Sequence, residues 1–294
     1  MKKLLYVLAL IIFCTTSTQA QKLVLPTTDV SFNGGLLFKQ ATFTDSGISL
    51  TDHESKPWIA NFTVFSNQPY GKHIFELGMA KGTFQLNEGL NTQSTTNLSD
   101  FTGATVNYAY MHELFSYYPS CQVANQVYLG IRLNGELIDH NITREVTGGT
   151  FTTYEDRDLT EFSLAFSGGT DYNFSDNNYI TFQLYYPAIY KISSPTHQND
   201  IADATDAFTV AHEDRAYDAD YWTGGEVQFF NGLSKIGFIT TYRLMLSDGL
   251  GFSLKYHFNN MNWNQDLDAA LGNPYETVNH QLTLGILFHS EGGY

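Results

Sequence analysis

"GLGFSLKYHFNN", residues 249–260, alternates with a period of two. Leu250, Phe252, Leu254, Tyr256 and Phe258 form one set, and Gly251, Ser253, Lys255 and His257 the other. A period of two places successive side chains on opposite faces of a β-strand, so this strand meets two different surroundings. The question for the fold is which face meets hydrocarbon, and whether that hydrocarbon is a protein core or a lipid bilayer.

The same alternation runs through most of the chain. Residues 72–86 set Phe75, Leu77 and Met79 against Glu76 and Gly78, and residues 102–114 set Ala104, Val106, Tyr108 and Tyr110 against Thr105, Asn107 and Ala109. In 122–134, Val127, Leu129, Ile131 and Leu133 oppose Gln126, Gly130 and Arg132. Residues 159–168, 178–190, 235–246 and the final "VNHQLTLGILF" (278–288) follow suit, and 30–39, 57–66 and 219–230 are weaker cases. A soluble β-sandwich or jelly roll, the rival reading, would carry Lys and Glu in quantity on its outer faces. Here the polar faces carry Gly, Ser, Thr, Gln and Tyr with few charges, while the apolar faces are bulky and aromatic. That pattern predicts an all-β protein: a closed antiparallel transmembrane β-barrel, apolar outward and polar inward. Loop lengths alternate short and long. Adding "TDAFTVAHED" (205–214) as a further strand brings both termini to the periplasmic end and gives about twelve strands, within a range of ten to fourteen. If the interior is roomy, Ser253→Arg on the polar face is expected to be far milder than Leu254→Arg on the apolar one.

The ends fit an exported protein. Lys2 and Lys3 precede a short apolar run, Leu4 to Cys14, and Thr18-Gln19-Ala20 offers small residues for cleavage, so residues 1–20 read as a signal peptide and 21–294 as one barrel domain. A lipoprotein reading through Cys14 meets the bulky Phe13. Beyond the signal the only cysteine is Cys121, which leaves no internal disulfide. No apolar run long enough for a spanning helix follows Ala20. The formal charge of −15, more negative still without Lys2 and Lys3, argues against nucleic acid as a partner. The expected location is the outer membrane, with its lipid as the surrounding partner.

The aromatic closing strand ending at Phe288 resembles the C-terminal signal of outer-membrane barrels, although "HSEGGY" follows it. More narrowly, "VNYAYMHEL" (106–114), "VYLGIRLNGELID" (127–139) and "VNHQLTLGILF" together resemble the PorP/SprF-like accessory barrels of type IX secretion, over about half of the chain. That family's Gln-Asp-Pro start with Phe-, Asn- and Pro-rich repeats is absent from "QKLVLPTTDVSFNGG". The resemblance implies a non-catalytic helper in protein export or adhesin assembly, with a secreted or surface adhesin as partner and no enzymatic residues. The alternatives are a porin-like passive channel for small solutes and a rim hydrolase.

Little catalytic chemistry is legible. A rim hydrolase needs a serine and an oriented histidine. His257 lies near Lys255 on the polar face, His280 is on the apolar face, His289 adjoins Ser290 too closely to reach it along a strand, and no Gly-x-Ser-x-Gly elbow occurs. Asp200, Asp203, Asp206, Glu213, Asp214, Asp218 and Asp220 crowd one segment without the spacing of a calcium loop, so a solvated acidic loop is expected, with a Ca²⁺ site as its alternative. No catalytic, cofactor or metal residues are assigned. The charges expected to face the lumen are Glu76, Arg132, Glu161, Glu226, Arg243, Lys255 and His257. In a narrow barrel they would pair across it. In a wider one they would line water and bias ion passage.

Overall fold

Alternating strands leave two debts: an apolar face that needs hydrocarbon, and backbone edges that need partners. A sheet closed on itself settles both. The computed structural model describes residues 27–45, 49–55, 57–86, 94–117, 125–146, 152–156, 159–175, 178–193, 227–229, 233–265 and 273–291. The strands are β1 (Thr27–Asp45), β2 (Ser49–Ser55), β3 (Trp58–Gln68), β4 (Gly71–Leu86), β5 (Ser94–Tyr117), β6 (Asn125–Val146), β7 (Thr152–Asp156), β8 (Leu159–Ser175), β9 (Asn178–Ser193), β10 (Val227–Phe229), β11 (Leu233–Ser247), β12 (Leu250–Gln265) and β13 (Asn273–Glu291). All pairings are antiparallel. β1 closes the ring on β13 from Thr27↔Glu291 to Phe43↔Tyr275.

The barrel has ten staves, because three short strands extend their neighbours rather than adding to the ring. β2 and β3 form one stave between β1 and β4, interrupted at Pro57, and β7 leads into β8 along β6. The expected count of about twelve is therefore corrected to ten. The reason is direct pairing of β9 with β11, with Tyr185 opposite Gly237, which leaves no gap for further staves. Of the expected strand 219–230, the described part is β10, which pairs with β9. Residues 205–214, the signal segment 1–20, Cys14, Cys121, Glu226 and the acidic residues from Asp200 to Asp220 lie outside the described residues.

Several strands are longer than a membrane crossing requires. β5 has 24 residues, roughly 80 Å at about 3.3 Å each, far more than a band about 25 Å tall requires even when tilted. One end of the barrel holds the tight connections at 69–70 and 248–249 together with both ends of the ring. The hairpins run on beyond the band at the other end. There β5 and β6 remain paired as far as Ser94↔Val146.

The outward face is apolar along the barrel wall. Phe32, Phe75, Leu77, Leu129, Ile131, Phe166, Leu184, Phe252, Leu254, Leu282, Leu284 and Ile286 point outward and are exposed, Leu284 at 62%. Such an outward belt on a closed barrel is the surface that bilayer hydrocarbon accepts. Ser31, Asn33, Thr63, Ser167, Gln183, Ser253 and Thr283 point inward and are buried. The interior is packed, not roomy: the Ser253 hydroxyl hydrogen-bonds Asn33 Oδ1, and Asn33 lies over Gly285, where a Cβ would overlap it. The room on which a mild Ser253→Arg depends is thus missing at this position.

In equilibrium unfolding from lipid vesicles, Leu254→Arg should cost about 2–4 kcal/mol through charge placed in hydrocarbon. Ser253→Arg should be no milder, because Asn33 and Gly285 leave no space for it. A well-folded Ser253→Arg barrel would mean that the lumen is wider than the structure shows. An epitope inserted after Asp248, in the tight turn between β11 and β12, should remain hidden from antibody on intact cells.

Candidate functional site

With the outer face apolar, chemistry in the band belongs to the inward positions. Ten staves make a barrel narrow enough for side chains of opposite walls to meet. They do so in three tiers.

Nearest the tight turns, Lys72 Nζ of β4 lies 2.6 Å from Asp171 Oδ1 of β8 and 4.0 Å from the Tyr128 ring centroid. Beside it, Arg243 Nη1 of β11 donates to the Tyr179 hydroxyl at 3.0 Å, and that hydroxyl donates to Asp29 Oδ2 at 2.5 Å. Arg243 also stacks 3.5 Å above the Phe65 ring and sits 3.7 Å from Asp29. His289 Nδ1 meets Asp29 Oδ1 at 2.5 Å, tying the last strand to the first. Phe65, Ile74, Ala109, Met111 and Tyr128 pack among these charges.

In the middle tier Lys255 of β12 pairs with Glu76 of β4 across the barrel, and Asn107 Nδ2 donates to Glu76 Oε1 at 3.5 Å. Arg132, 1% exposed, donates from Nε to Asn134 Oδ1 at 2.5 Å, with its guanidinium 4.9 Å from the Tyr185 ring centroid. The Tyr185 hydroxyl and His257 Nε2 share a hydrogen bond of 2.8 Å. Tyr185 reaches this place because its cross-strand partner is Gly237; a Cβ there would overlap the phenol ring.

Toward the long-hairpin end, Lys235 Nζ lies 2.6 Å from Glu161 Oε2 and 3.7 Å from Glu136 Oε2. The tiers are joined. Asn134 Nδ2 donates to Ser163 Oγ at 3.1 Å, which donates to Glu161 Oε1 at 3.1 Å. Leu37, Ile59, Ile138, Tyr190, Ile192 and Met261 form an apolar cluster inside this end.

Of the seven residues selected from the sequence, Glu76, Arg132, Glu161, Arg243, Lys255 and His257 lie inside, and Glu226 is outside the described residues. The structure brings Glu76 to Lys255 and places Arg132 and His257 around Tyr185. It separates Arg243, which belongs to the tier at the tight turns, from Glu161 at the opposite end. Sequence reasoning missed Asp29, Lys39, Lys72, Glu136, Asp171 and Lys235 as interior charges. Parity was the available signal: Lys72 shares it with Glu76, Glu136 with Arg132, Asp171 with Glu161, and Lys235 with Arg243.

The arrangement holds the walls together and fills the lumen. His257 is engaged by Tyr185, and His289 by Asp29. His280 faces outward against Tyr256 and Phe258. Among the described residues no group of three or more His, Cys, Asp or Glu is placed to hold a metal ion.

No known family's sequence profile matches the chain, and no curated protein matches its sequence. Solved structures do match. The outer membrane protease OmpT from Escherichia coli superposes with a TM-score of 0.50 at 8% identity, over 94% of this chain and 100% of that one. Neisserial surface protein A aligns at a TM-score of 0.34 and 9% identity, over 89% of this chain and 96% of that one. Likeness at such identity speaks to the fold alone. A closed antiparallel barrel with an apolar outward belt and a polar, ion-paired interior is the architecture of the bacterial outer membrane, and that is where this chain resides.

Removing one partner of a buried pair leaves an unmatched charge, which typically costs about 3–5 kcal/mol. Lys255→Met should therefore destabilise the barrel by that order, while Lys255→Met with Glu76→Leu should recover most of the loss. A vesicle-based double-mutant cycle that shows no such recovery would mean that the pair is not closed across the lumen.

Proposed function

We propose that this chain is a closed, non-conducting outer-membrane scaffold that serves as an accessory to the export or assembly of a secreted or surface protein, without catalysis. The observation that carries the reading is the set of ties crossing the lumen: Lys72 to Asp171, Lys255 to Glu76, Lys235 to Glu161, and Arg243 through Tyr179 to Asp29. Each joins staves that are not neighbours in the ring, so a solute passing along the axis would have to break buried, charge-assisted bonds. A passive porin needs polar groups that line water instead of holding one another. The non-catalytic reading is supported by the absence, among the described residues, of a hydrogen bond from His257 or His289 to a serine or cysteine nucleophile; their partners are Tyr185 and Asp29. The accessory role draws on the resemblance of 106–114, 127–139 and 278–288 to the PorP/SprF-like barrels.

Refolded protein in planar bilayers should be electrically silent at moderate voltage. Replacing Glu76, Arg132 and Lys255 together with serine should produce discrete conductance steps. Steady ohmic conductance in the unaltered protein would overturn the closed-scaffold reading in favour of a channel. A deletion strain should lose at least one surface-exposed protein from its shaved-cell proteome, and an unchanged surface proteome would overturn the accessory role.

A further inference from the structure

Between the Glu76–Lys255 tier and the apolar cluster of the long-hairpin end lies a cavity of about 70 Å³. Leu37, Ile59 and Ala80 give it an apolar wall, while Asn259, Asn279 and Gln281 stand on the wall of β12 and β13. Its volume admits about five water-sized groups.

Several buried side chains have a polar atom without a hydrogen-bond partner among the described residues, and three of them, Asn259, Asn279 and Gln281, line this one cavity. Asn259 and Gln281 are more than nine-tenths buried, at 7% and 6% exposed, and both line the cavity. Gln281 Nε2 has no acceptor, and neither Asn259 Oδ1 nor Asn279 Oδ1 has a donor. Buried polar groups are otherwise nearly always hydrogen-bonded, because an unpaired one forfeits its full desolvation cost. The strand register gathers the three: Asn259 is opposite Asn279, and Gln281 follows two residues later on the same face, opposite His257. They offer one donor and two acceptors to the same small space.

The charges nearby exclude a charged guest. Glu76 is held by Lys255, and Lys235 by Glu161 and Glu136, while Lys39 shares the field of Glu136 and Glu161. An ion entering would find no free countercharge on these groups and would pay its own desolvation. A primary carboxamide carries two N–H donors and one carbonyl acceptor, the complement of the three orphaned atoms. A short alkyl tail would meet Leu37, Ile59 and Ala80.

We infer that the lumen of this barrel holds a binding site for a small neutral primary amide of about five heavy atoms, with Asn259, Asn279 and Gln281 as its polar contacts and Leu37, Ile59 and Ala80 as its apolar wall. The site lies on the long-hairpin side of the central ion pair, so its ligand comes from outside the cell. It functions without an open channel.

The probe is propanamide, titrated into the refolded protein in micelles while the side-chain amide resonances of Gln281 and Asn259 are followed by NMR. Saturable shifts are expected for propanamide, with N,N-dimethylpropanamide, propionate and propylammonium at least tenfold weaker. Gln281→Leu and Asn259→Leu should each weaken binding roughly three- to tenfold, the effect of one or two hydrogen bonds lost. Leu37→Phe, which fills the apolar wall and keeps every amide, should abolish it. Heat-modifiable migration on gels confirms that each variant is folded. Absence of saturation, equal binding of the charged or dimethylated analogues, or undiminished affinity in the folded Leu37→Phe protein would overturn the inference.

Discussion

Once the outer face of a ten-stave barrel is committed to hydrocarbon, its interior has to serve as the core, and that core is built from polar side chains. The whole interior follows from this one constraint. Six cations, Lys39, Lys72, Arg132, Lys235, Arg243 and Lys255, are buried together. Water cannot solvate them there, and each would be prohibitive alone. The answer is reach. In a ring this small, a lysine of β12 meets a glutamate of β4, and an arginine of β11 is linked through Tyr179 to an aspartate of β1. Each further stave widens a barrel roughly in proportion, so the same residues on twelve staves would stand too far apart to close the lumen. Stave number and interior chemistry are one property of this chain.

Aromatic side chains complete what the carboxylates leave undone. Arg243 has two guanidinium nitrogens without a hydrogen-bond partner among the described residues, and its Cζ lies 3.5 Å from the Phe65 ring centroid. Lys72 and Arg132 similarly rest on Tyr128 and Tyr185. A cation over an aromatic face keeps part of the electrostatic stabilisation that it loses on leaving water, and more so in a desolvated site. Tyr185 does double service, since it supports Arg132 and engages His257. That depends on Gly237 giving up the space that its side chain would take.

The class of fold was legible because alternation in 249–260 is strict, and in 72–86 and 278–288 is broken on the inward face by Ile74 and Leu287, while one set in each is too bulky and aromatic for a water-facing surface. The strands β1 and β3 were harder to read for a physical reason. Leu37, Ile59 and Phe65 are apolar residues that face the lumen, so the contrast between faces fades where the interior itself contains apolar layers. The stave count was misjudged because loop-length parity cannot distinguish a missing stave from a hairpin that runs past the membrane. Pairing decides it, and the contact of Tyr185 with Gly237 joins residues 52 positions apart with no local signature. In the candidate site, single charges could be assigned to a face by parity, but the partner of each is chosen by the curvature of the closed ring. The orphaned amides of Asn259, Asn279 and Gln281 were invisible for the same reason: an unmet hydrogen bond exists only once every neighbour is in place.

The closure of the lumen also explains the charge of the whole chain. It has 15 Lys and Arg against 30 Asp and Glu. Among the described residues, six of those cations are consumed inside, facing Asp29, Glu76, Glu136, Glu161 and Asp171. The described lumen is thus close to neutral, and the chain's formal charge of −15 is carried by the rest of the sequence. Residues 194–226, for example, carry a run of acids around Arg215. A surplus of acid of this size favours hydration of a chain over collapse onto an apolar surface. The lysines and arginines that would have moderated it are needed within, where they hold opposite walls together.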